Sequence, residues 1–284
     1  MNCLILGGDK RYLEIINDFV KKGYGVDIVG YKDKIDGTKK IEYNEININK
    51  YDLILLPVNG VSNNFVIKAQ EEFQIDINFF DNVKKDCLIF SGINSKCLNE
   101  MISRSKLNVT FLMSDKNVIK ENAISTVEGI ISDIIVNTDI TINNSKIMVI
   151  GYGNIGSYLV DILKGLNAEV YASIIDEKDK QTLNKKQIKH VFSSNENEMQ
   201  KILPSMDIII NTVPSLVLND NYINYIKKSC YVLDISSYPH GIDQKYLNEQ
   251  NIKNKIYLGI PSIVAPKTAG KILLKKINYI VGGN

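Results

Sequence analysis

Three features of the sequence predict an α/β fold in two domains, each a parallel sheet covered by crossover helices. Short apolar runs alternate with helix-period patterns from end to end. Six strand-like runs follow one another after residue 146, and a glycine-rich turn stands directly behind the first of them. Length agrees, because 284 residues at about 150 per domain make two, and 44% hydrophobic content lets each bury its own core. The expected division is a flavodoxin/Rossmann-like N-terminal α/β domain over residues 1–118 and a doubly wound parallel-sheet Rossmann domain over 119–284. The second is expected to carry both a linking helix and the C-terminal helix.

Composition narrows the function classes. Thirty-four Lys plus Arg against 32 Asp plus Glu leave a formal charge of +2, so neither nucleic acid nor a membrane surface is an expected partner. Cys3, Cys87, Cys97 and Cys230 are scattered without a CxxC pair, which argues against a zinc ribbon and a disulfide framework and for reduced thiols in a cytoplasmic protein. No metal site is expected. The opening apolar run is too short for a signal peptide's core, and about 18 apolar residues never run together. Arg11 and Arg104 are the only arginines, so bidentate recognition of a carboxylate has just those two side chains to draw on.

In the first domain, residues 3–6 read as a strand, Gly7-Gly8-Asp9 as its turn, and Leu13, Ile16, Phe19 and Val20 as the stripe of a helix. Strands are expected at 26–29, 53–56, 87–90 and 109–112, with a helix near 96–105. The turn after the 53–56 strand is Pro57-Val58-Asn59-Gly60. Ser125-Thr126-Val127-Glu128 fits a capping box and places a helix start there, with Val127, Ile131, Ile134 and Ile135 as its apolar face.

The second domain is expected to have strands at 147–150, 170–172, 188–192, 208–210, 231–235 and 256–258. Gly151-Tyr152-Gly153-Asn154-Ile155-Gly156 follows the first of these and opens a helix. The first glycine permits the turn, the second lets a pyrophosphate approach the backbone, and the third lets helix and strand pack closely. Unpaired N–H groups at the helix start then face the phosphates, so NAD(P) is the expected cofactor. Asp176, about 20 residues past the loop, is placed for a ribose 2′-hydroxyl and leans to NAD, although the neighbouring lysines could instead meet a 2′-phosphate.

With strand order 3-2-1-4-5-6, Thr212, Val213 and Pro214 lie at the topological switch point and are expected to touch the cofactor. Asp234, Ser236 and His240 follow the fifth strand on the same rim; His240 is a candidate acid/base, set against an ordinary loop histidine beside Pro and Gly. Past the sixth strand come Pro261, at the expected cofactor edge, and Ala265-Pro266-Lys267-Thr268-Ala269-Gly270. Lys267 and Thr268 at a helix N-terminus combine backbone donors, a dipole and a charge.

The segments Asn122-Ala-Ile-Ser-Thr-Val-Glu-Gly129, Asn137-Thr-Asp-Ile-Thr141, Val149-Ile-Gly-Tyr-Gly-Asn-Ile-Gly156 and Gly259-Ile-Pro-Ser-Ile-Val-Ala-Pro-Lys-Thr-Ala-Gly270, with Gly7-Gly8-Asp9 and Arg11, resemble the dipicolinate synthase A-subunit family over essentially the whole chain. The resemblance implies oxidation of a hydroxytetrahydrodipicolinate or dihydrodipicolinate ring to pyridine-2,6-dicarboxylate with NAD(P). It also implies partnership with a flavoprotein-like B subunit, together with a role in spore formation, in the mother-cell cytoplasm. One departure stands out: where the family is expected to carry an Arg after the second cofactor-domain strand, this chain has Ile175 and Asp176, which puts a preference for NADP in doubt.

A ring bearing two carboxylates needs two anion receptors. Lys267 and Thr268 are expected to hold one, and Arg11 with the Asn59-Gly60 rim the other across a cleft, while Ser236 joins the same catalytic set. Self-association into a homo-oligomer is left open. The rival readings are a nucleotide-binding, non-catalytic subunit of a flavoprotein complex, another two-domain dehydrogenase of the shikimate or alanine type, and an α/β module with an empty cleft.

Overall fold

In the computed structural model, which describes residues 1–282, the chain forms two units: Met1–Asn122 with the described residues from Pro261 onward, and Ala123–Ile260. In chain order the first contains β1 (Asn2–Leu6), α1 (Tyr12–Lys21), β2 (Gly25–Val29), β3 (Lys39–Lys40), β4 (Leu53–Leu55), β5 (Val66–Ile67), β6 (Phe73–Gln74), β7 (Leu88–Ser91), α2 (Lys96–Ser105) and β8 (Val109–Phe111). Its parallel sheet runs β3-β2-β1-β4-β7-β8. Central β1 is buried from Cys3 to Leu6, as a strand covered on both faces must be. On one face Tyr12, Ile15, Ile16 and Phe19 of α1 close over Cys3 and Ile5, and on the other Leu4 and Leu6 meet Ile54, Ile89 and Leu98. The antiparallel β5–β6 hairpin carries too few residues to show as a strand pattern, and no such element is predicted.

The chain passes between the units within α3 (Lys116–Asn137), which begins nine residues before the capping-box position. Asp115 supplies the start instead: its Oδ1 accepts the amides of Asn117 and Val118 at 2.9 and 3.1 Å. Ser125 and Thr126 are consequently buried mid-helix residues.

The second unit continues with β9 (Lys146–Ile150), α4 (Asn154–Gly165), β10 (Glu169–Ile174), α5 (Glu177–Lys185), β11 (Lys189–Phe192), α6 (Glu196–Ile202), β12 (Ile208–Asn211), α7 (Asp220–Ile223), β13 (Tyr231–Asp234), α8 (Gln244–Glu249) and β14 (Asn254–Ile256). Its sheet order, β11-β10-β9-β12-β13-β14, is the predicted 3-2-1-4-5-6. Leu159, Val160 and Leu163 of α4 pack with Ile147 and Val149 on one face, while Met148, Ile150, Ile209 and Val232 face a second core. Asp133 of α3 is buried and receives the Tyr231 hydroxyl at 2.6 Å and the Lys255 ammonium, a polar tie at the strand starts, away from the rim where ligands collect.

Two more helices complete the chain, α9 (Ile260–Val264) and α10 (Pro266–Val281). The expectation that residues 261–284 belong to the second domain does not match: α10 packs on the first unit, and 283 and 284 lie outside the described residues. Ile272, Leu273 and Ile277 join the core made by Ile15, Ile16 and Phe19. Gly270 makes the approach feasible, since a Cβ there would lie 2.3 Å from the carbonyl oxygen of Arg11.

Candidate functional site

Each glycine of the loop behind β9 has its own reason to be there. Gly151 has φ +96°, and a Cβ on it would meet Thr212 Oγ1 at 2.5 Å and Val213 Cγ2 at 2.6 Å. Gly156 lies so close under the turn that a Cβ would reach the Gly151 oxygen at 2.1 Å, whereas a Cβ on Gly153 would meet nothing within 4 Å. The outer loop therefore faces open space, with exposed Asn154 beside it at the start of α4 and no side chain capping the helix. That is a cradle with free amides and room for a phosphate. Tyr152 and Ile155 point back and pack on the core, supporting the loop without lining the open side.

Neighbouring strand ends complete this rim. Ser173 of β10 pairs with Ile150, and the amide of Gly151 donates to the Ser173 oxygen at 2.9 Å. Two residues beyond β10, exposed Asp176 begins α5 without a side-chain capping bond, so its carboxylate is uncommitted. From β12, Thr212 donates its hydroxyl to the Ile150 oxygen at 2.9 Å, Val213 packs on Gly151, and Pro214 is exposed. Gly151, Gly153, Gly156, Asp176, Thr212 and Val213 thus gather around one strand-end rim.

Asp234 and Ser236 do not join them as free ligand groups. Asp234 is fully buried, and its Oδ1 accepts Asn211 Nδ2 at 2.9 Å and the Ser236 amide at 2.8 Å, while Oδ2 accepts the Gly241 amide at 2.9 Å. The Ser236 hydroxyl is buried too and takes a longer bond from Asn211 Nδ2 at 3.3 Å. The expected ligand contacts give way to a lock that holds the 236–241 loop, because a buried carboxylate must collect donors from its own chain. Asn211 is its centre: buried at the switch point, it also bonds both backbone groups of Val213. Its polarity at the end of an Ile-Ile-Ile strand is the sequence signal for that role. His240 has φ +72°, with Nδ1 2.9 Å from the Ser236 oxygen.

The first unit has a corresponding rim at its own switch point, between β1 and β4. Gly7 and Gly8 have φ +61° and +106°, and a Cβ on Gly8 would meet the Tyr12 ring at 2.6 Å. Here the space over the turn is filled by the chain itself: the Gly8 amide donates to the Lys68 oxygen at 3.1 Å, and a Cβ on Gly7 would lie 2.6 Å from that oxygen. No open space like that at Gly153 is left over this turn. Beside it, a cavity of about 190 Å³ is bordered by Asp9, Asn59, Lys68 and Glu72.

Arg11 is placed differently from the expectation of a free carboxylate receptor. It is 5% exposed, and its Nε and Nη2 donate to the two oxygens of Asp9 at 2.9 and 2.6 Å. An acid two residues away occupies the Nε–Nη2 edge before any ligand arrives. Asn59 is exposed at the cavity, whereas the amide of Gly60 is spent on the Pro57 oxygen at 2.9 Å. Lys267 and Thr268 are exposed in the first turn of α10, in the same unit as Arg11, and Pro261 is buried in α9. A depression of about 720 Å³ runs along α2 and borders none of these residues.

Among the described residues all four cysteines are buried, and burial pushes Cys3 and Cys230 up to about 12 and Cys87 up to about 11. Those thiols are no ready nucleophiles. No group of three or more His, Cys, Asp or Glu among the described residues is arranged to hold a metal ion, and none of the described helices is long and apolar enough to cross a membrane.

Comparison with known proteins assigns the two halves separately. Residues 2–113 match the N-terminal domain of the dipicolinate synthase A-subunit, and residues 104–241 match the alanine dehydrogenase/PNT C-terminal domain. The dipicolinate synthase A-subunit of Bacillus subtilis (strain 168) is 31% identical over 99% of this chain and 96% of its own length. The crystal structure of the Bacillus halodurans dipicolinate synthase A-subunit superposes with a TM-score of 0.91 at 27% identity, covering 100% of this chain and 98% of the other. An L-alanine dehydrogenase, at 12% identity and a TM-score of 0.63 over 100% of this chain and 91% of its own, shares the fold. With that identity over nearly the whole length of both chains, the chain belongs to the dipicolinate synthase A-subunit family.

Proposed function

We propose that this chain oxidises a hydroxytetrahydrodipicolinate, with loss of water, or a dihydrodipicolinate ring to pyridine-2,6-dicarboxylate, by hydride transfer to a nicotinamide dinucleotide. The single observation that carries the proposal is the open cradle at Gly153, backed by an uncapped helix start and flanked by the uncommitted carboxylate of Asp176. The fit is chemical as well as steric. Backbone amides of the glycine loop would hold the pyrophosphate, and Asp176 would accept the two ribose hydroxyls, a pairing that a 2′-phosphate would oppose by charge. NAD is therefore the proposed cofactor, which supplies the hydride acceptor when bound.

The protein's share of such a reaction is orientation and exclusion of water, since the product ring is aromatic and the step runs downhill. Thr212 and Val213 brace the loop, and the Asn211–Asp234 lock keeps the adjoining rim rigid. On the first unit, Lys267, Thr268 and the N-terminus of α10 are proposed to receive one substrate carboxylate. A second subunit of the B type and a role in spore formation, in the mother-cell cytoplasm, belong to the same proposal, with membership of the family as their support.

Thermal melting with each nucleotide tests the cofactor half. At about 100 times its Kd a bound ligand stabilises by roughly 2.7 kcal/mol, so NAD should raise Tm by several degrees and NADP by less. Asp176→Ala should shrink that difference; an equal response to both nucleotides in the native chain would remove the NAD assignment. Following nicotinamide absorbance with substrate, for the chain alone and with its B subunit, tests turnover. A retained nucleotide shift with no reduction in either case would leave a nucleotide-binding, non-catalytic subunit.

A further inference from the structure

The charges around the first unit's switch-point cavity do not match a simple receptor for a dianion. Of the groups that border it, Asp9 and Glu72 are acidic and Lys68 is basic. Arg11 pairs with Asp9 through its Nε–Nη2 edge, and that pairing holds the carboxylate in one orientation. The Arg11 amide adds a third bond to Asp9 Oδ1 at 3.1 Å. Arg11 is buried and Asp9 keeps 37% of its side chain open, so the pair presents a fixed acceptor at the cavity wall. Lys68, on the strap that crosses Gly7 and Gly8, is exposed and enters no ion pair among the described residues. Glu72 is exposed beside it.

A fixed anion and a free cation bordering about 190 Å³, with Glu72 as a second acid at the edge, form a receptor for a small ligand that carries an N–H donor beside a carboxylate. Resting on the proposed substrate class, we infer that this cavity reads the ring nitrogen: Asp9 accepts the N–H of a hydrogen-bearing ring nitrogen, Lys68 receives an adjacent carboxylate, and Arg11 acts as the positioning residue behind Asp9. The arrangement selects the reduced imino acid over the product. A hydroxytetrahydro ring would first lose water; the resulting dihydro ring, in its N–H tautomer, would give up the N–H hydrogen as a proton to water and a ring C–H hydrogen as hydride to the oxidised nicotinamide, leaving an aromatic nitrogen lone pair. That lone pair faces the Asp9 carboxylate with no hydrogen between them, and an unpaired acceptor pair is repulsive. Product release is thereby built into the binding site.

The test is calorimetric titration of the full chain, in metal-free buffer, with piperidine-2,6-dicarboxylate and with pyridine-2,6-dicarboxylate. These rings carry the same two carboxylates but differ in the nitrogen and in saturation, so the change in ratio on Asp9→Asn isolates the nitrogen's share. The native chain should bind the piperidine at least about tenfold more tightly. Asp9→Asn, which can donate to a pyridine nitrogen, should narrow or invert that ratio, and Lys68→Ala should weaken both ligands about equally while leaving the ratio in place. Melting curves report whether Asp9→Asn still folds; if it does not, the native ratio and Lys68→Ala decide alone. Equal binding of the two rings by the native chain, or an unchanged ratio in folded Asp9→Asn, overturns the nitrogen-reading role and leaves the proposed reaction standing. Binding of neither ring, with the nucleotide shift intact, overturns the substrate class itself.

Discussion

Two glycines three positions apart serve opposite purposes, and substitution separates them. Gly153→Ala adds a methyl group where nothing lies within 4 Å, so the fold should keep its Tm while dinucleotide affinity drops at least about tenfold because the methyl occupies the phosphate's approach. Gly156→Ala drives the same methyl to 2.1 Å from the Gly151 oxygen and should cost about 1–3 kcal/mol of stability as well as binding. Nucleotide titration beside urea denaturation distinguishes the two, and equal stability losses would sink the distinction. The open side at Gly153 and the close packing at Gly156 are legible in the sequence because each constraint is local to one turn. That of Asp234 is not, since an acid at a strand end reads alike whether it faces a ligand or its own loop, and only the inward donors from Asn211, Ser236 and Gly241 decide. Arg11 misleads for a related reason: its scarcity marks it as special, yet the partner that occupies its Nε–Nη2 edge is two residues away.

Elements are readable where period and burial agree. All six strands of the second sheet follow from apolar runs separated by helix-period stretches, because a parallel sheet buried on both faces leaves that pattern, whereas their order rests on the doubly wound reading that the glycine turn supports. The β5–β6 hairpin is illegible, as two-residue strands have no period. The start of α3 is misplaced by the sequence pattern because two cap signals compete, and Asp115 wins by accepting two amides and an ion pair from Lys276 at 2.8 Å. The placement of α10 is hidden because its apolar stripe does not say which core it covers; Gly270 does. Alanine at an interior helical glycine normally gains up to about 1 kcal/mol, but at 270 it would press on the Arg11 oxygen at 2.3 Å, and overpacking costs about 1–3 kcal/mol. Gly270→Ala should therefore lower the denaturation midpoint, and a rise would mean that α10 is free to shift off α1.

Both units bury acids that ionise only in alkali, which gives the whole molecule a pH limit. Cys3 and Cys87 lie in the first unit and Cys230 in the second; desolvation raises Cys3 and Cys230 to about 12 and Cys87 to about 11 from an ordinary value near 9.0. Tyr12 and Tyr31 in the first unit and Tyr231 in the second are raised for the same reason, Tyr231 also by its bond to Asp133. A raised folded-state pKa means that the native chain keeps protons the unfolded chain releases. The associated stability is whole below the unfolded value and is lost as pH climbs toward the folded one. Each such thiol subtracts up to about 1.4 kcal/mol per pH unit above roughly pH 9, and the phenols begin to add to this about a unit higher. Urea midpoints should accordingly hold between about pH 7 and 8.5 and fall steeply by about pH 10.5, with thiol reagents at about pH 8 reacting only as fast as the chain opens. Cys230→Ala should flatten part of that fall, whereas midpoints unchanged up to about pH 10.5 would show that the buried thiols and phenols ionise without resisting the fold.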